Sequence, residues 1–286
     1  MALGPAGFWG TPTSTVDWCE LNYVVTPFVC EFFNTVSSLA MVTAGVLGII
    51  LHRRVFDRGT LWAFGLLGVV GIGSIAFHGT LKFELQLLDE IPMLYLVTLM
   101  AYLLLEPGPE RRFGQWLPVL LLVYAVVATL SDAFTAGRVQ FFAFQLSFGG
   151  LEFFCLARVY RLSQKPENVA VRPFFRLGVA FYLGAIGLWF IDLRFCEVMS
   201  VRLPSLGVPN PQLHAWWHLL VSCGFYLLLV VVGYDRLRRR RSGPAVRPAA
   251  GVIPAVVLPP AESSIATTRP RSTEQASSRD AFGSDG

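Results

Sequence analysis

The sequence predicts an all-α integral membrane protein: a seven-transmembrane helix bundle with a lumenal N-terminus and a cytosolic C-terminus. Three observations predict it. The chain has 286 residues, 54% of them hydrophobic and 15% charged, which is more apolar and less charged than an ordinary soluble domain. The excess lies in long apolar runs, and about 20 such residues cross the hydrocarbon core as a helix. The basic residues are grouped in alternate connections, which is a signature of membrane topology.

Before the first run, residues 1–31 contain no Lys or Arg and no cleavable signal pattern, so the first span is expected to act as the signal anchor. Seven runs then follow: Phe32–Leu51, Leu61–His78, Leu87–Leu105, Trp116–Leu130, Val139–Val159, Phe175–Ile191 and Leu213–Tyr234. The fourth is short, but short connections make sequential helices antiparallel neighbours, and the charge pattern requires an odd count. Arg53, Arg54 and Arg58 follow span 1, Arg111 and Arg112 follow span 3, and Arg158, Arg161, Lys165, Arg172 and Arg176 surround the end of span 5. Arg236 and Arg238 to Arg241 follow span 7, while the other side holds only Lys82, Arg138, Arg194 and Arg202. The positive-inside rule assigns the basic side to the cytosol. Three parts are expected: residues 1–31 as a lumenal segment, 32–241 as the membrane domain, and 242–286 as a disordered cytosolic tail rich in Pro, Ala, Ser, Thr and Arg.

Chemistry concentrates at one end. Of four histidines, His52 is expected on the surface of a cytosolic loop. His78 closes span 2 in Ser74-Ile-Ala-Phe-His78, and His214 and His218 open span 7 in His214-Ala-Trp-Trp-His218. Residues four apart share a helical face, so Ser74 pairs with His78 and His214 with His218. Asp89 opens span 3. With alternating spans, all five lie at similar depth in the lumenal half, where ionisable groups are costly without partners and a purpose. Three imidazoles with an open position form a catalytic zinc arrangement, and a carboxylate beside it can act as general base. Haem ligation would need histidines on facing helices, whereas His214 and His218 share one.

A second polar set lies before and at the start of span 1: Asp17, Glu20, Asn22, Glu31 and Asn34. These hard oxygen donors suit Ca²⁺, while Asp17-x-x-Glu20 also fits the capping box of a short helix. Cys19 and Cys196 both fall on the lumenal side beside acidic motifs and are expected to form a disulfide. Structural-zinc CxxC spacing, a phosphate-binding glycine loop and a G-x-S-x-G elbow are absent, and no basic-aromatic run points to nucleic acid.

Taken together, Gly7-Phe-Trp-Gly10, Ser14-Thr-Val-Asp-Trp-Cys-Glu20, Glu31-Phe-Phe-Asn34-Thr-Val-Ser37, Phe77-His-Gly-Thr-Leu81, Gln86-Leu-Leu-Asp-Glu90, Ile191-Asp192, Phe195-Cys-Glu197 and His214-Ala-Trp-Trp-His218 resemble the alkaline ceramidase family, of the phytoceramidase type. The resemblance implies a zinc-dependent seven-helix hydrolase that splits ceramides, including phyto- or dihydro-types, into a sphingoid base and a fatty acid in the endoplasmic reticulum or Golgi membrane. It implies catalytic zinc on His78, His214 and His218, with Ser74 and Asp89 beside it. It also implies Ca²⁺ on Asp17, the Trp18 carbonyl, Glu20, Asn22 and Glu31. The same S-x-x-x-H, Asp and H-x-x-x-H set occurs in adiponectin-type and progestin-type receptors, so a zinc-containing receptor is the alternative. Those receptors carry a long cytosolic N-terminus in the opposite orientation, unlike the short Asp17-Trp-Cys-Glu20 segment here.

Overall fold

The computed structural model describes residues 7–240 and 243–258. Among the described residues, seven helices are long and apolar enough to cross a membrane: Phe32–His52, Arg58–Thr80, Phe83–Leu105, Trp116–Phe134, Gly137–Ser163, Pro166–Arg194 and Leu213–Arg240. They match the seven apolar runs and are called spans 1 to 7. Each is longer than its run because helical hydrogen bonding continues through polar terminal residues. The fourth, shortest in the sequence, is a full helix of 19 residues.

Span 7 is the central post. Its residues from Tyr226 to Leu237 are buried without interruption, and it packs most extensively on span 6, with spans 1, 2 and 5 also against it. Span 3 lies between spans 2 and 5, and span 4 packs outside on spans 3 and 5. Spans 5 and 6 touch only sparsely, which leaves room between them for a cavity.

Two local features bring span 2 against span 3. Pro92 sits inside span 3 and lacks the N–H that would bond the Leu88 carbonyl one turn earlier. Gly73 faces that turn so closely that a Cβ there would fall on the Leu88 carbonyl and the Asp89 amide nitrogen. A glycine is therefore required for Asp89 to approach the Ser74–His78 face.

The N-terminal segment folds over the same end. Leu81 closes span 2 in the left-handed conformation, with φ 50°. Its carbonyl accepts from the Thr13 and Ser14 amides at 2.9 and 3.1 Å. The Cys30 and Glu31 amides donate to the carbonyls of Gly79 and His78, both at 2.9 Å. The open carbonyls of a helix end thus become the seat of the segment. A disulfide between Cys19 and Cys196, with Cα atoms 5.1 Å apart, ties it to the end of span 6.

At the opposite end, Arg236 of span 7 pairs with Asp57 at 3.0 Å and donates to the carbonyls of Leu103 and Glu106. Asp57 also caps span 2 by accepting from the Gly59 and Thr60 amides. Two expectations are corrected here. His52 is not a surface residue but fully buried, its ring stacked 4.4 Å from that of Phe56. The chain after Ser242 is not disordered throughout: Ala245–Ala249 and Ile253–Val257 pair as antiparallel strands β1 and β2. The Val256 amide donates to His52 Nε2 at 3.1 Å, and Pro254 accepts from the Tyr226 hydroxyl. The hairpin buries Val256 against the bundle. The remainder of the expected tail, 259–286, lies outside the described residues.

Candidate active site

Span 2 supplies Ser74 and His78, span 7 supplies His214 and His218, and all four are buried. One ring nitrogen from each of His78, His214 and His218 can be chosen so that all three lie within 4.8 Å of one another. Among the described residues this is the cluster of His, Cys, Asp and Glu with metal-ligand spacing. Neighbours define the ring nitrogens. His78 Nδ1 meets Glu31 Oε2 at 2.5 Å, and His218 Nδ1 meets Ser37 Oγ at 2.8 Å. With Nδ1–H donating in both, the Nε2 atoms are turned to the centre, that of His218 lying 3.4 Å from Ser74 Oγ, which is how outer-shell partners usually orient metal-binding histidines. His214 is stacked against Trp18 at 3.8 Å and Trp217 at 5.0 Å.

Two buried atoms at the centre lack any hydrogen-bond partner: His214 Nδ1 and Asp89 Oδ1. Unpaired polar atoms are costly in an interior, and a cation with its bound water would satisfy both. The histidine cluster therefore fits a metal ion. Asp89 is hydrogen-bonded to Ser74 through its side chain, and Ser74 Oγ also accepts from Ser38 Oγ at 2.9 Å.

The acidic set gathers just above. Glu20 accepts from the Phe33 and Asn34 amides at 2.7 and 2.9 Å, so it caps the start of span 1. The Asp17-x-x-Glu20 stretch itself forms no helix, which removes the reading of it as the cap of its own helix. Asn22 Nδ2 donates to Asp17 Oδ1 at 3.2 Å, leaving Asn22 Oδ1 buried and unpartnered. Burial, the largest cause, pushes Glu20 up to about 7 and Glu31 up to about 8, despite hydrogen bonds that favour their ionised forms. Burial also raises Asp17. Three crowded carboxyls and an orphaned amide oxygen are the donor chemistry of a hard cation. Glu31 links the two sets, since Oε1 accepts from the Trp18 amide at 3.0 Å while Oε2 holds His78.

Several site residues were not singled out as such in the sequence. Ser38 reaches Ser74, and Ser37 reaches His218. Glu31, Asn34 and Ser38 recur at helical spacing on one face of an otherwise apolar span, and that stripe is the signal that could have found them. A buried network of Gln86, Glu90, Gln140 and Asp132 flanks Asp89: Gln140 Nε2 donates to Glu90 at 2.6 Å and to Asp132 at 2.5 Å. Gln86 extends it to the Thr15 amide at 2.7 Å.

Below the imidazoles lies a cavity of ≈ 280 Å³. Trp18 and Val16 roof it, and Phe144, Phe148, Ile186 and Trp217 line its walls. His78, His214 and Asp89 face into it. A polar reacting end above an apolar chamber suits a lipid with a polar head.

Comparison with known proteins decides the family. The profile of the family described as Ceramidase matches residues 10–255. The chain belongs to the ceramidase family. It is 37% identical to alkaline ceramidase 3 of Mus musculus over 91% of this chain and 97% of that protein. It is 29% identical to the alkaline ceramidase of Arabidopsis thaliana, covering 90% and 98%. The alkaline ceramidase of Saccharomyces cerevisiae is also 29% identical, covering 81% and 79%. As a ceramidase the chain is a hydrolase of amide bonds, and the receptor alternative is not favoured. The family match reaches residue 255 and so takes in most of the hairpin.

Proposed function

We propose that this chain is a zinc-dependent intramembrane amidase that hydrolyses ceramides, phyto- or dihydro-types included, to a sphingoid base and a free fatty acid. The observation that carries the proposal is the convergence of three buried imidazoles, Asp89 and Ser74 at the head of an apolar cavity. His78, His214 and His218 would hold the zinc, an assignment supported by their all-nitrogen donor set. When bound, zinc supplies a water of pKa about 7 and polarises a carbonyl.

The chain's own residues do the rest. Asp89 takes the proton of the attacking water and returns it to the leaving amine, as general base and then acid. The Ser74 hydroxyl first holds Asp89, and once that carboxyl is protonated it is free to turn toward the oxyanion. Glu31 and Ser37 fix the imidazole orientations, and the roof of Trp18 keeps bulk water away. Asp17, the Trp18 carbonyl, Glu20, Asn22 and Glu31 would hold Ca²⁺ as a brace that keeps Glu31 on His78. The N-terminal face is assigned to the lumen by the arginine distribution, in an endoplasmic reticulum or Golgi membrane. The hydrolase unit extends beyond residue 241 to include the hairpin.

The test is purification in detergent, metal analysis, and fatty-acid release from a panel of ceramides before and after chelation. About one zinc per chain is expected, with activity lost on chelation and restored by zinc. Undiminished turnover by metal-stripped protein would overturn the zinc mechanism.

A further inference from the structure

The far end of the cavity is not apolar. Glu152 of span 5 lines it, fifteen residues beyond Gly137 and well inside the membrane. Tyr182 of span 6 lines the same end. Among the described residues no Lys, Arg or His forms an ion pair with Glu152. An ionisable group at this depth is costly and marks function by default, and the proposed chemistry at the imidazoles does not use it.

Helical register gives its position. The lining of span 7 runs from His214 to Phe225, eleven residues and roughly 16 Å at 1.5 Å per residue. On span 6 it descends from Trp189, beside Trp18, to Tyr182. The Glu152–Tyr182 pair therefore lies at the end opposite the histidines. There the rings of Tyr182 and Phe225 meet at 6.0 Å. Just beyond, Gly178 and Gly224 bring the backbones of spans 6 and 7 together, so that a Cβ on Gly224 would lie 3.2 Å from the Gly178 carbonyl oxygen.

A hydrocarbon chain descending from the reacting amide gains affinity with each methylene buried against the apolar walls, about fourfold apiece. The gain ends where its tip meets a carboxyl and a phenol, because advancing further desolvates polar groups without burying the tip in apolar surroundings. We infer that Glu152 and Tyr182 form a polar floor that sets the length of the lipid chain this cavity accepts, with Glu152 the chain-length determinant. The inference rests on the ceramidase reading and deepens it by naming what selects among ceramides.

The test compares kcat/KM of the wild type, Glu152→Leu and Glu152→Gln on two ceramide series, one varying the acyl chain and one the sphingoid base. In the wild type, kcat/KM should rise with length and then break in the series whose chain lodges in the cavity. Glu152→Leu should move that break to longer chains, with about fourfold gained per added methylene, mostly through KM. Glu152→Gln, still polar, should keep the wild-type break, and short-chain turnover should be equal in all three. Should Glu152→Leu be recovered misfolded, Glu152→Met, unbranched and of similar length, should give the same shift. An unmoved break in both series, with short-chain turnover intact, overturns the inference. So does an unmoved break accompanied by a changed preference between 4-hydroxylated and plain bases of equal length, which would make Glu152 a reader of hydroxyls. If the wild type releases no fatty acid from any ceramide, the ceramidase reading itself has failed.

Discussion

At the scale of single residues, each proposed role separates binding an ion from moving a proton. His214→Ala removes an imidazole from the cluster and should lose both zinc and turnover. Asp89→Asn keeps the shape of the side chain and should keep zinc and fold, while turnover falls about 10²–10⁴-fold. Metal analysis alongside steady-state rates checks both, and near-wild-type turnover of zinc-loaded Asp89→Asn would show that Asp89 is not the base. Asn22 offers a test for calcium. Its Oδ1 is buried without a partner, and such an acceptor costs about 1–3 kcal/mol. Asn22→Ala should therefore leave the calcium-free protein at least as stable as the wild type, yet flatten the rise in Tm on adding Ca²⁺. If the full calcium response survives, Asn22 is not a ligand. The histidines and Asp89 were legible in the sequence because apolar spans make polar residues conspicuous and a four-residue spacing puts them on one face. Ser37 and Ser38 were not, because a hydroxyl in a span satisfies itself on the preceding carbonyl as often as on a distant partner.

At the scale of elements, the seven spans were legible because the bilayer demands long uninterrupted apolar helices, but their contacts were not. Gly73 and Pro92 show why. Nothing local announces that the carbonyl left without a partner by Pro92 lies under a glycine of another helix. Gly73→Ala would force spans 2 and 3 apart where Ser74 must reach Asp89, and overpacking of this kind costs about 1–3 kcal/mol. Activity should fall more than zinc content, since the proposed ligands lie on spans 2 and 7 and the proposed base on span 3. Loss of zinc in step with activity would instead mean that the cluster itself had been displaced. The opposite face has its own fastening in Asp57 and Arg236. Burial raises the carboxyl, but the hydrogen bond and charge of Arg236 outweigh it and hold Asp57 below its ordinary value of 3.8. A lowered folded-state value stabilises at every pH above the unfolded one and is lost as pH falls through the folded one. The Asp57 contribution should thus be constant at neutral pH and disappear only in strong acid. Asp57→Asn should lower Tm at neutral pH, and the difference from the wild type should narrow below about pH 4. A difference that stayed constant into acid would mean that the charge of Asp57 is not what stabilises this face, since Asn keeps the cap.

At the scale of the whole molecule, the N-terminal segment, the span ends and the C-terminal hairpin enclose the bundle at both faces. The hairpin escaped the sequence reading because Pro, Ala and Ser composition argues for disorder, while its five-residue strands gain their stability from the bundle they cover. The disulfide was legible because its two cysteines share a face by helix parity. It closes a loop with a sequence separation of 177 residues, and restricting the unfolded chain over that length is worth about 5 kcal/mol in the chain-entropy model. Cys19→Ser should accordingly be less stable and more sensitive to calcium removal, as read by Tm with and without chelator, because the segment bearing the acidic set then loses its covalent tie to the end of span 6. Equal Tm in the two proteins would show that the segment is fastened by its non-covalent contacts alone. Parity also fixes the last expectation. If all seven helices cross, the residues before span 1 and those after span 7 lie on opposite sides, with the arginines that follow spans 1, 3, 5 and 7 on the face away from the histidines. Positive charge is retained on the cytosolic side, so the disulfide and both proposed metal sites should face the lumen, where thiols oxidise and calcium is plentiful enough to bind. Protease added to intact microsomes should remove a tag at the C-terminus and spare one at the N-terminus, with both cut after detergent. The reverse pattern would put the acidic set and Cys19–Cys196 in the reducing cytosol, and the calcium brace and the disulfide would both have to be abandoned.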